Sequence, residues 1–294
     1  MFRSGFVSFV GRPNVGKSTL TNALVGQKIA ITSPKPQTTR RAIRGVVTDP
    51  TGQIIIVDTP GLHRPRTLLG ERLNDLVENT LADVDVIGMC IPANEKIGPG
   101  DRFIVEQIQK FRRATKVAIV TKAELVSRDQ LAAQLLAVDE LLDWKVIVPV
   151  SAVTEEQLGA LKGELIKFLP ESEALYPEEM LTDESVEARV CELIREAALQ
   201  DMREELPHSL AVTLDEMSLD EERDLYLVHA NVWVERESQK AMVIGKGAAH
   251  IKAVGQRARK ELNALLGKKV FLDLQVKVAA DWQRDPKQLG KLGF

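Results

Sequence analysis

The sequence predicts an α/β domain followed by a smaller α+β domain. Three observations carry that expectation. Short apolar strands alternate with helical patterns over the first 170 residues, as in a sheet covered by helices on both faces. A proline- and acid-rich break, LPESEALYPEEMLTDES, then interrupts every apolar period. Beyond it the order becomes helix, two strands, helix, strand.

The strands of the first domain are expected at residues 5–10, 43–48, 53–57, 84–91, 117–121 and 146–150. Helical spacing lies between most of them, as at Leu131, Leu135, Val138, Leu141 and Leu142. Residues 43–57 are the exception. Two runs meet there through Asp49-Pro50-Thr51-Gly52, a turn sequence, which predicts one antiparallel hairpin in a mostly parallel sheet. The domain is assigned to residues 1–170 and a linker to 171–184.

The second domain, 185–294, is expected to begin with a helix near Ser185. That helix has Val186, Val190, Leu193, Ile194, Ala197 and Ala198 on one face and is stopped by Pro207. Alternating runs at 209–215 and 226–235 read as strands. A second helix carries Ile251, Val254, Ala258, Leu262 and Leu265, and the run 269–278 closes the sheet.

Composition narrows the classes. Apolar residues are 44% of 294, enough for a sizeable core. Cys90 and Cys191 lie far apart in apolar segments and read as buried thiols of a reducing compartment. No apolar run reaches the roughly 18 residues of a membrane span. The N-terminal run is cut short by Gly-Arg-Pro, too early for a signal peptide. A cytoplasmic protein is expected. Net charge is −3, but residues 238–294 hold twelve Lys/Arg against four acids, a net +8. A basic region in an otherwise acidic chain is a candidate polyanion site.

The strongest motif is GRPNVGKS at 11–18, placed between a strand and a helix. Such a loop cradles phosphates: the backbone wraps closely and the helix N-terminus adds positive potential. The loop supplies Gly11, Arg12, Pro13, Asn14, Val15, Gly16, Lys17, Ser18 and Thr19 as nucleotide-binding residues. Lys17 should reach the β- and γ-phosphates, and Ser18 should ligate Mg²⁺. VDTPG, ending a strand, adds Asp58 as a metal-holding acid, with Thr59, Pro60 and a γ-phosphate-sensing N–H at Gly61. PQTTRR, in the loop before the second strand, adds Thr39 as a Mg²⁺ ligand that depends on the γ-phosphate.

The base-reading loop is expected at Thr121-Lys122-Ala123-Glu124, with Ser151 and Ala152 supporting the base edge. A carboxylate at that strand end accepts two N–H bonds from guanine, a pattern adenine lacks, so a guanine nucleotide is favoured over ATP. Glu124 is one methylene longer than the Asp expected there. The extra reach, about 1.5 Å, costs affinity unless the loop adjusts. Leu62 stands where a water-orienting Gln would help hydrolysis, which predicts slow turnover. His63 and His208 are read as residues without a chemical role, and the catalytic group is not named.

VIGKGAAHIK, at 243–252, joins what reads as a strand end to the basic helix. It resembles the Val-Ile-Gly-x-x-Gly signature of KH domains, whose loop clamps a single-stranded RNA backbone. Gly245, Lys246, Gly247, Ala248, His250, Lys252, Arg257 and Arg259 are the expected RNA contacts. Ala248 departs from the signature, which has Gly there. Trp233, Trp282 and His229 are read as core or edge residues.

With GRPNVGKST, KPQTTRRAIRG, VDTPGLHRPR, ELPHSLAV, VERESQKAMVIG and the final LGF in view, essentially the whole chain resembles the Era family. The resemblance is actinobacterial-like. It implies a P-loop GTPase domain followed by a type II KH domain, and GTP hydrolysis to GDP with Mg²⁺. It also implies binding to the 3′ region of 16S ribosomal RNA and to the 30S precursor, with peripheral membrane association in some members and no DNA partner. Potassium-stimulated relatives hold an Asn as cation ligand, the position of Asn14 here. Two rivals stay open on the residues alone. One is an RNA-binding scaffold whose nucleotide site does not turn over. The other is a membrane-associated signalling GTPase.

Overall fold

The computed structural model describes residues 1–33, 38–61, 65, 67–200, 202 and 209–294. The chain forms two compact units. One is Met1–Pro65 together with Gly70–Asp183; the other is Glu184–Phe294, which the short stretch before Gly70 joins.

In the first unit the strands are β1 (Arg3–Val10), β2 (Ile43–Asp49), β3 (Gly52–Asp58), β4 (Val86–Pro92), β5 (Thr115–Thr121) and β6 (Ile147–Pro149). They lie in the order β2-β3-β1-β4-β5-β6, and every neighbouring pair is parallel except β2 with β3. The expected hairpin is there, with Asp49 opposite Gly52. The helices are α1 (Lys17–Val25), α2 (Leu68–Asp83), α3 (Pro99–Gln109), α4 (Arg128–Asp139) and α5 (Leu158–Lys167).

Period-two alternation places them on two faces. Val7, Phe9, Val117 and Ile119 point into a core shared with Leu20 and Leu24 of α1 and Leu161 and Leu165 of α5. Val10, Ile87, Met89, Ala118 and Val120 point the other way, against Val77, Ile104, Ile108 and Val138 of α2, α3 and α4. Both faces are covered, so the central strands carry almost no polar residue.

The segment expected as a linker has structure of its own. Val46 N–H donates to Leu181 O (2.9 Å), and Thr182 Oγ1 donates to Arg44 O (2.7 Å). Arg44 and Tyr176 both donate to Asp183 Oδ2 at 3.0 Å, and Gln53 binds the backbone of Leu175 and Tyr176. The stretch is thus laid along edge strand β2 by polar contacts, which no apolar period reveals.

The second unit contains α6 (Val186–Leu199), β7 (Ala211–Asp220), β8 (Leu225–Val234), α7 (Glu237–Ile244), α8 (Ala249–Leu266), β9 (Lys269–Val278) and α9 (Pro286–Lys291). Ser185 caps α6, its Oγ accepting from Ala188 N–H. β7 and β8 are antiparallel, and β8 and β9 are parallel. Val190 and Ile194 of α6, Val254, Ala258 and Leu262 of α8, and Val228, Ala230 and Val232 of β8 form its core.

One expectation is corrected here. Val243 and Ile244 end a helix, α7, rather than a strand, so the Lys246 loop joins two helices. Both read as apolar in a short run, where periodicity cannot separate strand from helix. Pro207, expected to end the first helix, lies outside the described residues.

Candidate functional site

The parallel sheet delivers four loops to the carboxyl ends of its strands, the usual crevice for ligands in α/β sheets. The first follows β1. A Cβ on Gly11 would lie 2.7 Å from Cys90 O, so only glycine permits this approach of the loop to β4. The thiol of Cys90 is itself buried, which pushes it up to about 12 and leaves it a core residue.

Lys17 opens α1 and is buried, its ammonium donating to Gly11 O and Arg12 O, each at 3.0 Å. Burial lowers its pKa, and Asp58 opposes that shift. The Arg12 side chain turns away from the loop. Its guanidinium pairs with the fully buried Asp101 (2.8 Å) and with Glu95 (3.0 Å). Arg12 therefore contributes backbone to the site and uses its charge to brace α3.

Three oxygens converge beside the lysine. Ser18 Oγ donates to Asp58 Oδ2 at 2.8 Å, Thr39 Oγ1 lies 3.1 Å from Ser18 Oγ, and Thr39 Oγ1 donates to Asp58 Oδ2 at 3.4 Å. Asp58 is buried, and its Oδ1 has no hydrogen-bond partner. Burial raises its carboxyl pKa, against the bonds from Ser18 and Thr39 and the charge of Lys17. Two hydroxyls and one buried carboxylate with an unused oxygen are hard donors of the kind Mg²⁺ takes. These residues fit the metal that the motif implies. Thr59 is buried next to them, Pro60 follows, and Gly61 lies close enough that a Cβ there would sit 3.6 Å from Lys17 Nζ.

The base-reading loop is tied to the phosphate loop. Thr121 Oγ1 donates to Val15 O at 2.6 Å, so this residue spends its hydroxyl on joining the two loops. Lys122 takes a left-handed backbone, φ 58°, and its ammonium lies 3.9 Å from Glu95. Glu124 sits in a one-turn 3₁₀ segment, Ala123–Leu125, held by Ala123 N–H to Val150 O (3.2 Å). Its Oε2 is buried without a hydrogen-bond partner. Ser151 is buried and accepts from Thr154 N–H, shaping the turn that carries Ala152.

An open cavity of about 410 Å³ joins these parts. Its wall includes Pro13, Asn14, Gly16, Lys17, Ser18 and Thr19, with Thr39, Gly61 and Lys122. Glu124, Ser151 and Ala152 are outside that wall. The sequence reading missed Ile31, Thr32, Ser33 and Thr38, which also line it. Asn22 positions the start of this stretch, accepting from Ile29 and Ala30 N–H and donating to Ala30 O. The hydroxyl pair Thr32-Ser33 ahead of Thr38-Thr39 was the available signal. Leu62, His63 and His208 lie outside the described residues.

In the second unit, Gly245 has φ 73°, and a Cβ there would meet His250 Cβ at 2.7 Å. Gly247 and Ala248 are both left-handed, at φ 60° and 59°. Ala248 is the N-cap of α8 and lies outside the helix. Its helix propensity is therefore of no use at this position. Lys246 and Lys252 are exposed beside the loop. Two expected contacts are reassigned. Arg257 turns to α6 and donates to Ala197 O at 3.1 Å. His250 is half-buried, with Nδ1 2.9 Å from Val243 O, and joins the two helices across the loop. Arg259 is exposed, but eleven residues past Ala248 it stands roughly 16 Å along the helix axis from the loop.

Comparison with known proteins follows the same division. The family model of 50S ribosome-binding GTPases matches residues 6–122, and that of KH domains matches residues 205–283. GTPase Era of Mycolicibacterium smegmatis is 64% identical over 296 residues, covering all of this chain and 99% of the relative. GTPase Era of Streptomyces coelicolor is 58% identical over 301 residues, covering 99% of this chain and 95% of the relative. Two solved structures match over both units at 35% identity. Era in complex with MgGDPNP and nucleotides 1506–1542 of 16S ribosomal RNA has a TM-score of 0.95 and covers 100% of this chain and 99% of its own. A variant of Aquifex aeolicus Era bound to GDP·AlF₄⁻ has a TM-score of 0.94 and covers 99% of each.

Proposed function

The chain belongs to the Era family of GTPases, and on that premise we propose that it links a GTP-hydrolysing site to binding of the 3′ region of 16S ribosomal RNA. It would act in the cytoplasm on the 30S subunit precursor during assembly. In this reading residues 1–170 are the nucleotide module, 171–184 connect, and 185–294 are the RNA module.

Lys17 holds the β- and γ-phosphates. Ser18, Thr39 and Asp58 hold Mg²⁺, which neutralises charge on the phosphate oxygens. The Gly61 N–H senses the γ-phosphate. Lys122 packs its stem on the base, Glu124 accepts the guanine N–H groups, and Ser151 and Ala152 support the base edge. Asn14 is the proposed K⁺ ligand. Gly245, Lys246, Gly247, Ala248 and Lys252 form the RNA clamp.

The observation that carries the nucleotide half is the unpartnered Asp58 Oδ1 beside two hydroxyls and the Lys17 ammonium. The RNA half rests on the helix-loop-helix around Lys246. The basic stretch 238–294 would serve any polyanion, and the KH architecture favours RNA over a membrane surface. The test measures phosphate release and binding with GTP, ATP and xanthosine triphosphate. Mg²⁺-dependent release from GTP alone is expected. GTP bound without any release would instead favour the scaffold reading.

A further inference from the structure

We propose a second single-stranded RNA site on the open face of the β7–β8–β9 sheet, centred on Trp233. It rests on the reading of the second unit as an RNA module, and it lies on the sheet face opposite the helices that carry the Lys246 loop. Val228, Ala230, Val232 and Val234 point into the helix-covered core, as do Val270, Leu272, Leu274, Val276 and Val278. Strand alternation therefore turns His229, Asn231, Trp233, Phe271 and Lys277 to the opposite face.

Four features make that face a candidate platform. The Trp233 ring is fixed, its Nε1–H donating to Thr213 Oγ1 at 2.8 Å. Two ammonium groups stand by it, Lys277 Nζ at 5.7 Å and Lys291 Nζ at 5.5 Å from the ring centroid. Among the described residues Lys291 makes no ion pair. Phe271 leaves 52% of its surface exposed on the same face, edge-on to His229 at 6.4 Å. Between the two aromatic ends lies Asn231. It is 1% exposed, and its Oδ1 is buried with no partner while its Nδ2 donates to Asp215 at 2.5 Å.

An unsatisfied buried acceptor is costly; because Asn231 is almost wholly covered, a base N–H could satisfy it only once that cover shifts. Lys277 is paired with Asp215 at 3.8 Å, which among the described residues leaves Lys291 as the unpaired cation beside the ring. A rigid aromatic flanked by lysines binds bases by stacking and phosphates by charge, without sequence preference. Cross-strand rows repeat every two residues, about 6.6 Å, so Trp233 and the Phe271 row stand roughly 20 Å apart. That span suits a few nucleotides running along β8 and β9. Glu216 and Asp220 lie on β7, away from Lys291, whereas Asp215 reaches across to Asn231 and Lys277, and Asp273 of β9 stands 3.3 Å from His229; the strand would therefore be held mainly at the Trp233 end. A clamp of the Lys246 type holds about four nucleotides; the platform would engage a longer strand.

The experiment uses the full chain with the RNA oligomers A4 and A12, the variants Phe271→Ala, Lys291→Ala, Trp233→Leu and Lys246→Ala, and intrinsic fluorescence. Trp144 and Trp282 are buried, so quenching by RNA reports Trp233. A12 should quench and A4 should not. Phe271→Ala should weaken A12 by at least about five-fold, the low end for one lost base–aromatic stack, with A4 affinity unchanged. Lys291→Ala should make the A12 salt slope shallower by about 0.7. Both substitutions are at exposed positions, so they decide the matter even if Trp233→Leu misfolds. Equal effects on A4 and A12, or no effect on either, overturn the proposal. So does loss of binding to phosphatidylglycerol vesicles with A12 binding intact. If A4 binding is instead indifferent to Lys246→Ala, the clamp reading fails, and the A12 comparison still decides the platform.

Discussion

Ser18 Oγ donates to Asp58 Oδ2 at 2.8 Å, while the other oxygen of Asp58 is buried without a partner. These residues are forty positions apart in the chain, and parallel pairing of β1 with β3 brings their strand ends together. A buried carboxylate satisfied on one side only is unfavourable by itself and favourable once a cation is bound.

That asymmetry gives a pH dependence. Burial raises the Asp58 pKa above its unfolded value, so between the two values the folded state binds more protons. Stability without Mg²⁺ then rises, for this group, as pH falls through that window, and its cost is fully present above the folded pKa. Asp58→Asn lacks the titration. The stability of the wild type relative to Asp58→Asn should therefore increase as pH falls toward the ordinary carboxylate value of about 4. Denaturant melts at intervals across the range measure it; a flat difference means that Asp58 is not perturbed.

Lys17→Ala should remove tight triphosphate binding and leave the fold intact. Among the described residues the ammonium donates to two loop carbonyls, Gly11 O and Arg12 O, and Lys17 itself lines the open cavity. Loss of charge-assisted bonds worth about 1.5–3 kcal/mol each predicts a fall of one to two decades or more in affinity. Calorimetric titration with GTP, beside a circular-dichroism melt, separates binding from folding.

Glu124→Asp should tighten GTP relative to ATP by up to roughly tenfold, the worth of one well-made bond to a charged acceptor. The buried Oε2 has no hydrogen-bond partner, and the shorter acid would aim both oxygens at the guanine donors with less crowding. Unchanged GTP affinity would show that the Ala123–Leu125 turn already accommodates the longer side chain.

Potassium should accelerate hydrolysis more than sodium at matched ionic strength. Asn14 is exposed, left-handed at φ 64° and on the cavity wall, where its amide oxygen can reach a monovalent cation near the phosphates. Such a cation would stabilise charge developing during phosphoryl transfer. Asn14→Ala should abolish the difference between the salts; a difference that persists assigns the effect elsewhere.

Ala248→Gly should stabilise the second unit and tighten RNA binding. A left-handed Ala costs about 1–2 kcal/mol, and glycine's extra unfolded-state freedom returns about 0.5–1. A net gain near 0.5 kcal/mol is expected. No charge changes, so the salt slope of RNA binding should stay fixed, whereas Lys246→Ala should make it shallower by about 1. Melts and fluorescence-anisotropy titrations at several salt concentrations read both.

The hairpin, the phosphate loop and most of the element order were legible in the residues because each is local; the short helices α7 and α9 were not. Strand alternation, turn chemistry at Asp49–Gly52 and the GRPNVGKS spacing depend on neighbours a few positions apart. The run 269–278 matches its strand end to end for the same reason. What the tertiary structure decided involves groups distant in sequence. Arg257, legible only as a cation on a basic helix, is spent on a carbonyl of α6. Thr121 is spent on Val15, and Ile31 to Ser33 reach the cavity because Asn22 folds their loop back. Ala248 was readable as a departure from glycine, but only the backbone shows that it bears a positive φ. Periodicity reports which face a residue occupies. It does not report which polar partner a long side chain finds, and hydrogen-bond satisfaction in the folded chain settles that.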